Sequence, residues 1–109
     1  MEYIVDGWQF LKITGDGIST IHIFASFSGG YLDSDHWRRS SPIQKIEKDG
    51  NKYVAITASG NRYIFFADSN HINAYNSQVL KNKHQLTYMY YDLEYITLEE
   101  AIKFIEDNK

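Results

Sequence analysis

Cysteine is missing from this 109-residue chain. That excludes disulfides, thiolate chemistry and cysteine zinc sites together, and it fits a reducing compartment. No apolar run reaches the length of a membrane span. Residues 1–6 lack the basic region and cleavage site of a signal peptide, so a cytoplasmic protein without a membrane contact is expected. Proline occurs once, at Pro42, and no repeat or low-complexity tract interrupts the chain. One domain spanning 1–109 is the expectation, large enough for a single core.

Aromatic residues are plentiful instead: nine Tyr, six Phe and two Trp. Tyrosine combines apolar area with a polar tip, which suits half-buried strands and contact surfaces alike. The net charge of −3 is unevenly spread. Residues 1–35 sum to −4, 36–62 to +4, 63–91 to +1 and 92–109 to −4, a basic middle between acidic ends.

Residues 37–66 read as three short strands joined by turns at Asp49-Gly50-Asn51 and Ser59-Gly60-Asn61, clusters that tolerate positive φ. Pro42 opens the first of these strands, a position that tolerates it. Residues 2–14 and 18–28 read as a hairpin around Gly15-Asp16-Gly17, with Ile21, Ile23, Ala25 and Phe27 alternating along its second arm. Residues 28–41, rich in Ser and Gly, read as a loop. After Phe66, Asp68 or Ser69 can cap a helix over about 69–82. A strand is expected over 85–96, followed by a helix over about 98–107 that opens on a Thr97/Glu100 capping box. The fold class is α+β: a strongly bent antiparallel sheet or small, partly open barrel of about five or six strands with two helices.

Catalytic signatures are lacking. The four histidines show no metal-ligand spacing, no GxSxG motif occurs, and neither a cofactor nor a metal is expected. His22 reads as a half-exposed strand residue beside aromatics. Asp33, Ser34, Asp35 and His36 on one loop are the nearest approach to a metal site. They lack a signalled ligand from a second element, and a solvated loop explains them. Ser28-Gly29-Gly30 followed by Arg38-Arg39 could cradle a phosphate, although no helix N-terminus follows.

Two surfaces remain. Tyr88, Tyr90, Tyr91, Asp92, Glu94, Tyr95 and Glu99, with Asp33 and Asp35 on the loop, form an aromatic and acidic set suited to a basic protein partner. Tyr88 and Tyr90 should share one strand face with Asp92 and Glu94, and Tyr91 and Tyr95 the other. If that strand is an edge, it would also let the chain pair with its own copy as a homodimer. Alternatively Trp37, Arg38, Arg39, Lys45 and Arg62 form a basic, aromatic segment of the kind that stacks bases and tracks a phosphate backbone, or holds a nucleotide.

Trp37-Arg38, Ser40-Ser41 and Ile43, followed by the run from Thr57 to Tyr63, resemble small single-domain proteins encoded on phages and mobile elements. The resemblance covers residues 37–66. Proteins of this kind include anti-CRISPR proteins and other inhibitors of bacterial defence. The resemblance implies a non-enzymatic inhibitor that binds a nuclease or effector complex at its basic, nucleic-acid-binding surface, and it carries over no catalytic residue. An immunity protein that neutralises a toxin nuclease would look much the same.

Overall fold

The computed structural model of the protein describes residues 2–27, 36–69 and 92–108. Among these residues eight strands form two four-stranded sheets. The strands are β1 (Glu2–Ile4), β2 (Gly7–Gly15), β3 (Ile18–Phe27), β4 (His36–Arg39), β5 (Ile43–Asp49), β6 (Lys52–Thr57), β7 (Arg62–Phe66) and β8 (Asp92–Ile96). One sheet has the order β1-β7-β6-β5 and the other β4-β3-β2-β8. A helix, α1 (Leu98–Asp107), follows β8.

Local chemistry accounts for the hairpins. The β2–β3 hairpin closes at the Gly15–Ile18 pair, leaving Asp16 and Gly17 as a two-residue turn. Both take positive φ, 53° and 78°, the conformation whose twist matches that of the flanking strands and that Asp-Gly adopts readily. The β5–β6 turn closes at Asp49–Lys52, with Gly50 at φ 63°. Thr97 and Glu100 form the expected reciprocal capping box: Thr97 Oγ1 accepts from the Glu100 amide at 3.1 Å, and the Glu100 carboxylate accepts from the Thr97 amide at 3.0 Å.

The inner faces of both sheets meet in one core. Trp8, Phe10, Ile21, Ile23, Ala25 and Ile96 come from one sheet, and Val5, Ile43, Ala55, Tyr63 and Phe65 from the strands of the other or their flanks. Leu98, Ala101 and Ile105 of α1 join them. Trp8, Phe10 and Phe65 meet edge to face with centroids 5.1–5.5 Å apart, the geometry that ring quadrupoles favour. The Trp8 indole N–H donates to the Phe66 carbonyl at 2.7 Å and so ties the two sheets together. A smaller cluster of Leu11, Phe24 and Leu93 occupies the other face of β2, β3 and β8.

Two backbone crossings hold the sheets together. The Val5 amide donates to Ile64 of one sheet at 2.9 Å, and the next amide, Asp6, donates to Ser26 of the other at 3.0 Å. At the second crossing the Ser40 amide donates to the Ile23 carbonyl, its hydroxyl accepts from the Ile23 amide, and its carbonyl accepts from His22 Nδ1. Two residues later the Pro42 carbonyl, just before β5, accepts from the amide of Ala58, just after β6.

Several expectations need correction. The sheets do not close into a barrel, and among the described residues there are eight strands in two sheets where five or six in one were expected. The sheet is not wholly antiparallel, because β1 runs parallel to β7. Residues 2–14 are not one arm: the chain changes sheets at Val5 and Asp6. The supposed loop 28–41 contains β4, which completes the edge of β3 by pairing Arg39 with Phe24 and Arg38 with Ala25. The helix expected over 69–82 lies, beyond Ser69, outside the described residues; Ala67–Ser69 form a short 3-10 turn. Of the strand expected over 85–96, Asp92–Ile96 is described and is a strand. The terminal helix stands where its capping box and apolar spacing placed it.

Candidate functional site

Strand β8 pairs along one side with β2 and, among the described residues, ends its sheet. Its register places Glu94 opposite Lys12, Tyr95 opposite Leu11 and Ile96 opposite Phe10. Strand alternation then separates the acidic residues from the tyrosine. Asp92 and Glu94 share the face of Ile96, whereas Tyr95 shares the face of Leu93. Tyr95 is 47% exposed, and Asp92, Glu94 and Glu99 are exposed.

The β8–α1 junction therefore presents two clefts instead of one patch. The first, about 330 Å³, has Glu94, Glu100 and Asp107 with Lys12 and Lys103 around Ile96 and Phe104. The Lys12 ammonium lies 5.3 Å from the centroid of the Phe104 ring, within cation–π range. The second, about 280 Å³, lies between Tyr95 and Glu99 on one side and Trp8 and Gln9 on the other. Burial pushes the Tyr95 phenol above its ordinary value, so it stays protonated at neutral pH.

Of the acidic and aromatic set, Asp92, Glu94, Tyr95 and Glu99 are thus placed at this junction. Tyr88, Tyr90, Tyr91, Asp33 and Asp35 lie outside the described residues. Trp8, Gln9 and Lys12 were missed, because they stand more than eighty residues away in sequence and only the β2–β8 register brings them here.

The basic segment is divided between the two sheets. Arg38 and Arg39 stand on β4, which ends one sheet among the described residues, while Lys45 and Arg62 stand in the other. The Arg38 Nε donates to the Tyr63 hydroxyl at 3.0 Å, and its guanidinium lies 4.8 Å from the centroid of the Tyr3 ring. Lys45 faces Glu47 at 3.9 Å, and Arg62 faces Glu2 at 3.6 Å. Lys45 and Arg62 do share a face, since both align with Ile56 of the central strand. Arg39 is exposed; the backbone of Trp37 belongs to β4.

His22 is buried, not half-exposed. Its Nδ1 lies 2.8 Å from the Ser40 carbonyl and its Nε2 2.8 Å from the Thr20 hydroxyl. A carbonyl can only accept, so Nδ1 carries the proton and Nε2 accepts from Thr20 in the neutral ring. Burial lowers its pKa from 6.5; the Ser40 bond opposes that shift, and the nearby Arg39 charge adds to it. Both ring nitrogens are occupied: Nδ1 joins β3 to the Ser40 crossing, and Nε2 bonds Thr20 within β3. Among the described residues no group of three or more His, Asp or Glu side chains could hold a metal, and no helix is long and apolar enough to cross a membrane.

No protein-family model and no solved structure matches the chain. It is similar to the urease accessory protein UreD of Staphylococcus aureus. In strains JH9, Newman and JH1 alike, 92 residues align with 32% identity, covering 83% of this chain and 30% of the relative. The chain thus spans less than a third of the length of the curated relatives it matches.

Proposed function

We propose that this chain is a non-enzymatic accessory module that binds a protein through the β8–α1 junction, and that its partner belongs to a urease system. The observation that carries the reading is the 32% identity across 83% of the chain to a urease accessory protein. The surface chemistry agrees with it. Glu99 is exposed beside a half-exposed Tyr95, and Asp92 and Glu94 are exposed on the other face of β8, a combination that steers a basic partner and gives it an aromatic anchor.

The same exposed carboxylates support a second reading, an inhibitor that covers the nucleic-acid-binding surface of a bacterial defence nuclease by meeting the cations that otherwise hold phosphate. Both readings are tested with immobilised chain presented in turn with purified Staphylococcus aureus urease and with a purified nuclease effector complex. Saturable binding to urease that weakens between low and high salt supports the first reading. Binding to the nuclease alone moves the assignment to the second, and binding to neither removes both.

A further inference from the structure

We propose that the outward face of the β1-β7-β6-β5 sheet is a contact between two copies of this chain. That face belongs to the other sheet from β8, so the contact does not rest on the accessory reading above. Tyr3, Tyr63 and Phe65 turn towards the core. Strand alternation therefore sends Glu2 and Ile4 of β1 outward, together with Arg62, Ile64 and Phe66 of β7. Ile4 is 70% exposed and Phe66 41%. The register sets Ile4 beside Ile64 and Ile64 beside Val54, so an apolar row crosses three strands. Single apolar side chains scattered on a surface need no explanation, but a contiguous row that ends in an isoleucine this exposed marks a contact.

The charges around the row favour a second copy as the occupant. The outward side chains of the sheet include three acids, Glu2, Glu47 and Asp49, and three bases, Lys45, Lys52 and Arg62. Each base lies within 3.6–3.9 Å of one of these acids. The face is thus neutral, although the whole chain carries −3. Two copies can approach there without net repulsion, whereas a strongly charged partner would gain nothing from it.

The pattern is also self-complementary. A two-fold axis between β1 and β7, parallel to the strands, lays β1 of one copy over β7 of the other, with the sheets about 10 Å apart. Ile4 then meets Ile64 of the second copy and Glu2 meets its Arg62, and the symmetry repeats both contacts. Glu2 and Arg62 are already paired at 3.6 Å within each copy, so the two pairs close into a ring of alternating charge. The apolar row supplies the attraction, and the ring fixes the register. A face this small falls below the usual complement of about 20–30 residues a side, so the dimer is weak, with a Kd of about 10 µM to 1 mM.

The test is sedimentation equilibrium of the full chain at concentrations spanning about 10 µM to 2 mM, which brackets that range. The expected result is a reversible monomer–dimer equilibrium. Ile4→Glu sets a carboxylate against Ile64 at both symmetric contacts and should raise Kd at least about tenfold. Arg62→Glu sets like charges against each other and should do the same, whereas adding Glu2→Arg to it reverses the ring and should bring Kd back to within about threefold of the parent. All three side chains are exposed, and an NMR spectrum of each variant shows directly that the fold is retained. A chain that stays monomeric throughout, a dimer that survives Ile4→Glu, or a charge-swapped double variant that stays as weak as Arg62→Glu would overturn the proposal. No urease component enters the measurement, so its failure leaves the accessory reading standing, just as failure of urease to bind leaves this one standing.

Discussion

Phe65 is the residue on which the packing of the two sheets can be tested most directly. It is fully buried, and its ring meets Trp8 at 5.2 Å, Phe10 at 5.5 Å and Tyr53 at 5.6 Å, so both sheets converge on it. Replacing it with alanine removes the transfer free energy of the ring and leaves a cavity that rigid strands on both sides cannot collapse. A cost of about 3–5 kcal/mol is expected. A domain of this size has about 5–15 kcal/mol in total, so the loss is a large share of the whole. Phe65→Leu retains most of the apolar area but gives up the ring–ring geometry, each pair being worth about 0.5–1.5 kcal/mol, and should cost about 1–3 kcal/mol. Ile4, 70% exposed on the short strand β1, supplies the control: its alanine variant should stay within about 0.5 kcal/mol of the parent. Urea unfolding followed by tryptophan fluorescence reads all three. At an m-value of about 2 kcal/mol/M, Phe65→Ala should move the midpoint down by about 2 M with m unchanged. A Phe65→Ala variant no less stable than Ile4→Ala would refute the shared core.

Three further perturbations probe the joints of the fold. The neutral, buried His22 has a pKa below its ordinary 6.5, so the unfolded chain binds its proton more readily; its contribution to stability is complete above about pH 6.5 and is lost as pH falls from there towards the depressed folded value. Unfolding free energies across that window should slope downward on acidification in the parent and less so in His22→Gln. Ser40→Ala leaves the buried Ile23 amide without its side-chain acceptor and should cost about 1–3 kcal/mol, with faster hydrogen exchange at Ile23. Thr97→Ala removes the acceptor of the Glu100 amide and should cost about 0.5–2 kcal/mol in a thermal melt, whereas Glu100→Gln retains an oxygen for the Thr97 amide and should cost much less.

What was legible in the chain is what neighbouring residues decide among themselves. Asp16-Gly17 and Gly50 announce their turns, the β5–β7 meander follows from alternation between turn clusters, and the Thr97/Glu100 pair marks the start of α1. Strand β1 was not legible as a separate element, because its parallel partner β7 lies some sixty residues on and no local pattern encodes that pairing. β4 failed for a different reason. Its sequence, His-Trp-Arg-Arg, has no apolar alternation, and it becomes a strand because β3 offers an edge and Tyr3 and Tyr63 receive the Arg38 guanidinium.

The candidate site divides along the same line. The acidic and aromatic character of Asp92, Glu94, Tyr95 and Glu99 is plain in the sequence, and all four are exposed. That Glu94 and Tyr95 serve different clefts follows from strand alternation once β8 is set against β2. The side chain that joins the two kinds of information is Gln9. It reads locally as a polar residue between Trp8 and Phe10, yet its amide bridges the carbonyls of Phe10 on its own strand and Ile96 on β8. The bridge ties β8 to β2 at the point where the chain turns into α1.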